Sequence, residues 1–282
     1  MRPAFFILGL ALAASMSTTQ ADPPAPDLAL RINGRFGGAE PLQLWQGEPV
    51  IAEVVLRNRG PASAAPLVLA PPSGSWAARV TIAAAGGSGA PAPWPLVTVG
   101  NSSRTALALQ PSAVTTLVLR LDPAASGKLA LGSVKLVAQL DLADGTGWQG
   151  VVESAPIAVE VVTPPAAPTG EALGQRQLLR VRAALLAGDG AGAETAASDL
   201  LQAEPRRPEA FVALALVSEA KGDRALALMN IDLAMARAAD LPDEPPAAGA
   251  AAPKPKPVPF EYYDLRRRFE DLPEPPPPAP PP

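Results

Sequence analysis

The chain has 282 residues, with 36 Pro, 23 Gly, an aromatic fraction of 4% and a formal charge of −4. It contains neither His nor Cys, which excludes a Ser-His-Asp triad, a Cys nucleophile, an imidazole base, a zinc finger and any disulfide. Charges of both signs are spread evenly and no segment is basic enough to grip nucleic acid, so no nucleic acid partner is expected.

Residues 1–21 read as a secretory signal: Arg2 supplies a positive start, residues 4–14 are a short apolar run, and Thr19-Gln20-Ala21 gives small residues before Asp22. The run is too short to span a bilayer, and no later stretch is long enough, so no membrane span is expected after cleavage. With no Cys near the cut, a lipid anchor is not expected either. The mature protein is expected to be exported, to the periplasm or beyond.

From Leu28 the hydrophobic period is two. Leu28, Leu30 and Ile32 alternate with Ala29 and Arg31, and Val50, Ala52, Val54 and Leu56 share one face of the next strand. Asn58 to Gly60 ends that strand with turn chemistry. Further strands are expected over residues 67–70, 77–83, 96–99, 106–109, 114–121, 133–142, 147–152 and 156–162. Asp144-Gly145 is expected to make a tight hairpin turn directly after the long strand. Many short strands with turn signals between them predict an antiparallel β-sandwich over residues 22–163. The runs GEPVIAEVVLRNRG, LQPSAVTTLVLRLD and APIAVEVV resemble bacterial immunoglobulin-like domains over about 27–163. No functional residue comes with that resemblance.

A Pro-rich connector at 164–170 is followed by helical periodicity. Helices are expected over 177–186, 193–203, 209–220 and 225–239, broken at Gly188-Asp189 and Gly222-Asp223. The two Gly-Asp pairs stand 34 residues apart, the spacing of paired-helix repeats. Residues 171–240 resemble two tetratricopeptide units. Phe211, Gly222, Asp223, Ala227 and Ala234 match the pattern in the second unit, and Gly188, Asp189, Ala193 and Pro205 match it in the first. Gln177 and Arg180 depart from the apolar positions of the first unit's leading helix. The fold class is therefore β plus α in several domains: a sandwich, then about four antiparallel helices. Two units alone bury little core, so the helices are expected to pack on the β-region, on a protein partner or on another copy as a homo-oligomer.

Residues 241–282 form a low-complexity Pro-rich tail, expected to be disordered or polyproline II apart from a short helix at 260–272. This island carries both Tyr residues. Phe260, Tyr263, Leu265 and Phe269 could share one helical face, and with Tyr262 they are the candidate partner-binding residues. The alternative is a terminal helix folded back onto its own domain.

No paired carboxylates in a pocket and no metal or cofactor motif are readable; Asp141, Asp144 and Glu153 match no ligand loop. Asn101-Ser102-Ser103 fits a turn better than a glycosylation acceptor. The expected function is a non-enzymatic adaptor or scaffold for a protein partner in the envelope. A carbohydrate- or cell-wall-binding module, with Trp94 and Trp148 as its platform, is the alternative; a secreted protease inhibitor is another.

Overall fold

The computed structural model describes residues 26–85, 92–99, 105–240 and 257–273. The signal assigned to 1–21, the Asn101-Ser102-Ser103 turn, and the Pro-rich stretches 241–256 and 274–282 lie outside the described residues.

The N-terminal part is built from β-strands. A four-stranded antiparallel sheet runs in the order β1 (Pro26–Ile32), β3 (Val50–Asn58), β9 (Val114–Leu121), β7 (Val97–Val99). A second sheet runs β2 (Leu42–Trp45), β13 (Ile157–Val162), β10 (Gly132–Leu142), β5 (Val80–Ala85), β6 (Ala92–Pro93), with β12 (Gly150–Glu153) also on β10. A small third sheet joins β11 (Thr146–Gly147), β4 (Leu67–Ala70) and β8 (Leu107–Leu109). A 3-10 turn (Trp76–Arg79) replaces the start of the strand expected at 77–83, and a one-turn helix, α1 (Pro123–Ser126), follows β9.

The alternation explains the core. β1 buries every second residue, and so does most of β10. Leu28, Leu30, Ile32, Val54 and Leu119 from the first sheet join Leu136, Ala138, Leu140 and Val159 from the second in one hydrophobic cluster. The expectation of an all-antiparallel β-region needs one correction: β2 pairs with β13 in parallel, Leu42 opposite Val159. β2 was not foreseen, because four residues are too few for their period to stand out.

The hairpin expected at Asp144-Gly145 does not form. After β10 the chain leaves the sheet, pairs as β11 with β4, and returns as β12 with Leu142 opposite Gly150. Only glycine allows this detour. A Cβ on Gly147, whose φ is +90°, would lie 2.3 Å from the Val68 carbonyl oxygen. The excursion carries Trp148 into the core, where it is 8% exposed and its backbone N–H donates to Val68 O at 2.9 Å. Between β12 and β13 the Ser154 hydroxyl stands in for a backbone carbonyl, accepting from Ala138 N–H and donating to Ala155 O, both at 3.0 Å.

β3 is buried on both faces. One face lies in the sheet core, while Ile51 and Val55 face outward and are still 5% and 8% exposed. Helix α2 (Gly170–Leu186) packs against this strand. α3 (Gly190–Ala203), α4 (Pro208–Ala220), α5 (Arg224–Asp240) and α6 (Phe260–Glu270) complete the helical part.

The turns of the two helical hairpins α2–α3 and α4–α5 repeat bond for bond at an offset of 34 residues. Gly188 and Gly222 have φ of +75° and +76°. Asp189 N–H donates to Ala184 O, and Asp223 N–H to Ser218 O, each at 2.9 Å. Both are Schellman closures, in which glycine takes the left-handed position. Each Asp then caps the next helix, accepting from Gly192 N–H at 2.8 Å and Leu226 N–H at 3.0 Å. Ala193, Ala197, Ala213, Ala227 and Ala234 are fully buried; their short side chains let the helices approach closely. Phe211 packs half-buried at the edge of this core, and Glu204-Pro205 ends α3, with Glu204 N–H on Leu200 O at 2.8 Å.

Candidate functional site

A groove runs between the β-region and the helices. Two cavities of about 340 Å³ and 600 Å³ share Asn33, Gly34, Leu179, Arg182 and Glu261. The floor is the Asn33-Gly34 turn that ends β1. Both residues have positive φ, and Asn33 exchanges hydrogen bonds with Ile51: its Oδ1 accepts from Ile51 N–H at 2.9 Å, and its N–H donates to Ile51 O at 2.7 Å. This Asn-Gly pair directly after an alternating run is a turn signal that was available in the sequence. Arg182 of α2 lies over Gly34, with Nη1 3.4 Å from where a Cβ would stand. α6 forms part of the groove wall through Glu261, Tyr262 and Leu265.

One end of the groove is held by ion pairs across the two parts of the chain. Glu48, on the β2–β3 turn, is 3% exposed. Arg180 grips it from α2, Nε to Oε2 and Nη2 to Oε1, both at 2.7 Å, and Arg176 Nε donates to Oε1 at 2.5 Å. Arg176 also lies over the Trp45 ring, 5.9 Å from its centroid. Burial alone would raise the Glu48 carboxyl. Hydrogen bonds and charge from the two arginines outweigh it and hold the carboxyl below its ordinary value of 4.5. Arg180 stands where the second hairpin has Leu214, which explains why α2 departs from the repeat pattern there.

Glu209, in the first turn of α4, also lines the groove. Its Oε2 is buried and finds no hydrogen-bond partner among the described residues. Burial raises its carboxyl; its own backbone N–H and Arg207 oppose this, while Glu171 and Glu261 add to it. Burial likewise raises the Tyr262 phenol, with Glu209 and Glu261 adding and Arg182 opposing, so Tyr262 stays neutral at ordinary pH. Arg182 makes no ion pair with another described residue. The groove therefore offers two guanidiniums, Arg35 and Arg182, that make no ion pair with another described residue, together with a partly desolvated carboxylate and apolar walls.

Glu209→Gln is expected to raise stability at pH 7 by about 0.5–1 kcal/mol, because it removes a charge that burial penalises. A carboxyl raised in the folded state binds its proton more tightly there, so stability falls as pH climbs from 4.5 through the folded value. The gain should thus vanish at pH 4; urea unfolding at both pH values measures it, and an equal gain at both would contradict the desolvation argument.

The aromatic island does not present the expected face. Tyr262 is 4% and Phe269 0% exposed, and Leu265 packs beside them against the helical core. Phe260 and Tyr263 point outward at 76% and 50%. The inward positions follow i, i+3, i+7 from Tyr262, one residue away from the face built on Phe260. Tyr262 and Phe269 are thus occupied within their own chain. α6 packs against α5 as α4 packs against α3, and Arg266 and Arg268 reach across to Asp232 and Glu219.

The two tryptophans do not form a platform. Trp148 is in the core, and Trp94 is half-buried against it. Among the described residues no group of three or more Asp or Glu is arranged to hold a metal ion, and no helix is long and apolar enough to cross a membrane.

No family model matches this chain, and no curated protein matches it.

Proposed function

We propose that this is an exported, non-enzymatic adaptor that holds a segment of a protein partner in the groove between an immunoglobulin-like β-sandwich and two tetratricopeptide-like hairpins. The groove carries this reading: it is lined by α2, α4 and α6 on one side and by the outer face of β3 on the other, and it combines Arg182 with apolar walls at Leu179, Leu216 and Leu265. The 34-residue equivalence of the two hairpins supports the repeat assignment, and the two sheets around one core support the sandwich. The short apolar run after Arg2 supports export to the periplasm. Trp148, buried in the core, is not placed to stack on a sugar, which counts against a glycan platform.

The experiment is affinity purification from the envelope fraction with the natural chain and with Leu179→Asp, which places a charge midway along the groove. A specific protein recovered by the first and lost by the second is the expected result. The same proteins recovered by both chains would refute a groove-bound partner.

A further inference from the structure

The repeat supplies its own control for the surface of α5. Leu226, Met229, Leu233 and Ala236 form one outward stripe, and the first three are 40%, 52% and 39% exposed. At the equivalent places 34 residues earlier, α3 has Gly192, Thr195, Asp199 and Gln202. The two helices have the same caps and bury equivalent positions, Ala193, Ala197 and Leu200 in α3 and Ala227, Ile231 and Ala234 in α5, yet one presents a small and polar outer face and the other an apolar one. Packing among the described residues does not explain the difference, because the opposite side of α5 already supplies Ala227, Ile231, Ala234 and Ala238 to the core.

The stripe has a specific period. Its spacings are 3, 4 and 3 residues, the seam of a helix that packs along another helix nearly parallel to it. The flanking charges choose the partner. On this register Asp232 and Arg237 take the two positions that face each other across a parallel, in-register helix pair. Asp232 bonds Arg266 at 2.7 Å but remains 53% exposed, which leaves room for a second donor. Arg237 is exposed and makes no ion pair with another described residue. An antiparallel pair centred on the same stripe would turn each Asp232 toward its own copy.

We propose that α5 pairs with α5 of a second copy of this chain as a short parallel two-helix interface. Leu226, Met229, Leu233 and Ala236 form the seam, and Asp232 faces Arg237 of the partner subunit. Two-fold symmetry makes that ion pair twice. The seam spans about 15 Å of helix, below the size of a permanent interface, so the dimer is reversible, with a dissociation constant on the order of 10–100 µM. No residue of α5 lines the groove, so dimerisation and partner capture fail or succeed separately.

Sedimentation of the full chain across a roughly hundredfold concentration range reads the mass directly. The expected result is a shift from monomer to dimer, abolished by Met229→Asp and left intact by Thr195→Asp at the equivalent site on α3. Because Met229 is exposed, the variant's circular dichroism and melting should match the natural chain, so loss of mass means loss of the interface. Asp232→Lys and Arg237→Asp should each weaken the dimer, and mixing the two should restore it, since only the mixed dimer has both pairs matched. A monomer at every concentration, a dimer that survives Met229→Asp, or a mixture no better than its parts would overturn the proposal.

Discussion

Phe269→Ala is expected to release α6 while leaving the rest of the chain folded. Phe269 is the largest fully buried side chain among the described residues and sits in an eleven-residue helix. Truncating a buried Phe costs about 3–5 kcal/mol in lost transfer energy and cavity. Beyond Phe269, α6 is anchored by Tyr262 and the half-buried Leu265; its ion pairs, Arg266 with Asp232 and Arg268 with Glu219, are worth only a few tenths of a kcal/mol each. A helix this short is not stable alone in water, so undocking should also melt it. Hydrogen exchange gives the clearest signal: amides of residues 262–270 should lose protection while those of α2 to α5 keep it. Phe260→Ala is the matched control. It removes the same side chain from the same helix at a position 76% exposed, and it should change stability by less than about 0.5 kcal/mol. Equal effects from the two substitutions would mean that the inward face of α6 is misassigned.

That face shows where local pattern stops being informative. Phe260, Tyr262, Tyr263, Leu265 and Phe269 allow two overlapping apolar stripes, and only the position of α5 and α4 selects the one through Tyr262. The helical hairpins were legible because their determinants are close in sequence: Gly188 with Asp189, Gly222 with Asp223, and apolar residues at helical spacing. The long strands were legible for the same reason, since alternation along β1, β3 and β10 is local. What escaped was non-local. β2 gains its place only from a parallel partner more than a hundred positions away. Trp148 is a candidate platform residue in the sequence, whereas the close approach of Gly147 to Val68 draws it inward. Glu48 reads as a turn residue beside Gly47, and its two arginines lie 128 and 132 residues further on. Hence the repeat could be read in advance, and the groove that uses it could not.

The junction at Glu48 should be the second most sensitive point of the molecule. Glu48→Gln removes the one carboxylate that satisfies both Arg176 and Arg180. Breaking a buried ion pair from one side costs about 3–5 kcal/mol, and the low end applies because Arg180 is partly in water. The cost falls on the contact between the β-region and α2, where Arg120 Nη1 donating to Ala183 O at 3.4 Å is a weak second tie. Proteolysis within residues 164–169 should therefore accelerate more than unfolding of either part. The pH dependence gives an independent check. The folded carboxyl sits below its ordinary 4.5, so the unfolded chain binds more protons in the window between the two values. Stability from this group is fully present above 4.5 and is lost as pH falls through the folded value. The natural chain should thus lose its advantage over Glu48→Gln progressively below pH 4.5, and the two should converge in acid. If the gap between them stayed constant from pH 7 into that window, Glu48 would be acting through packing and not through its charge.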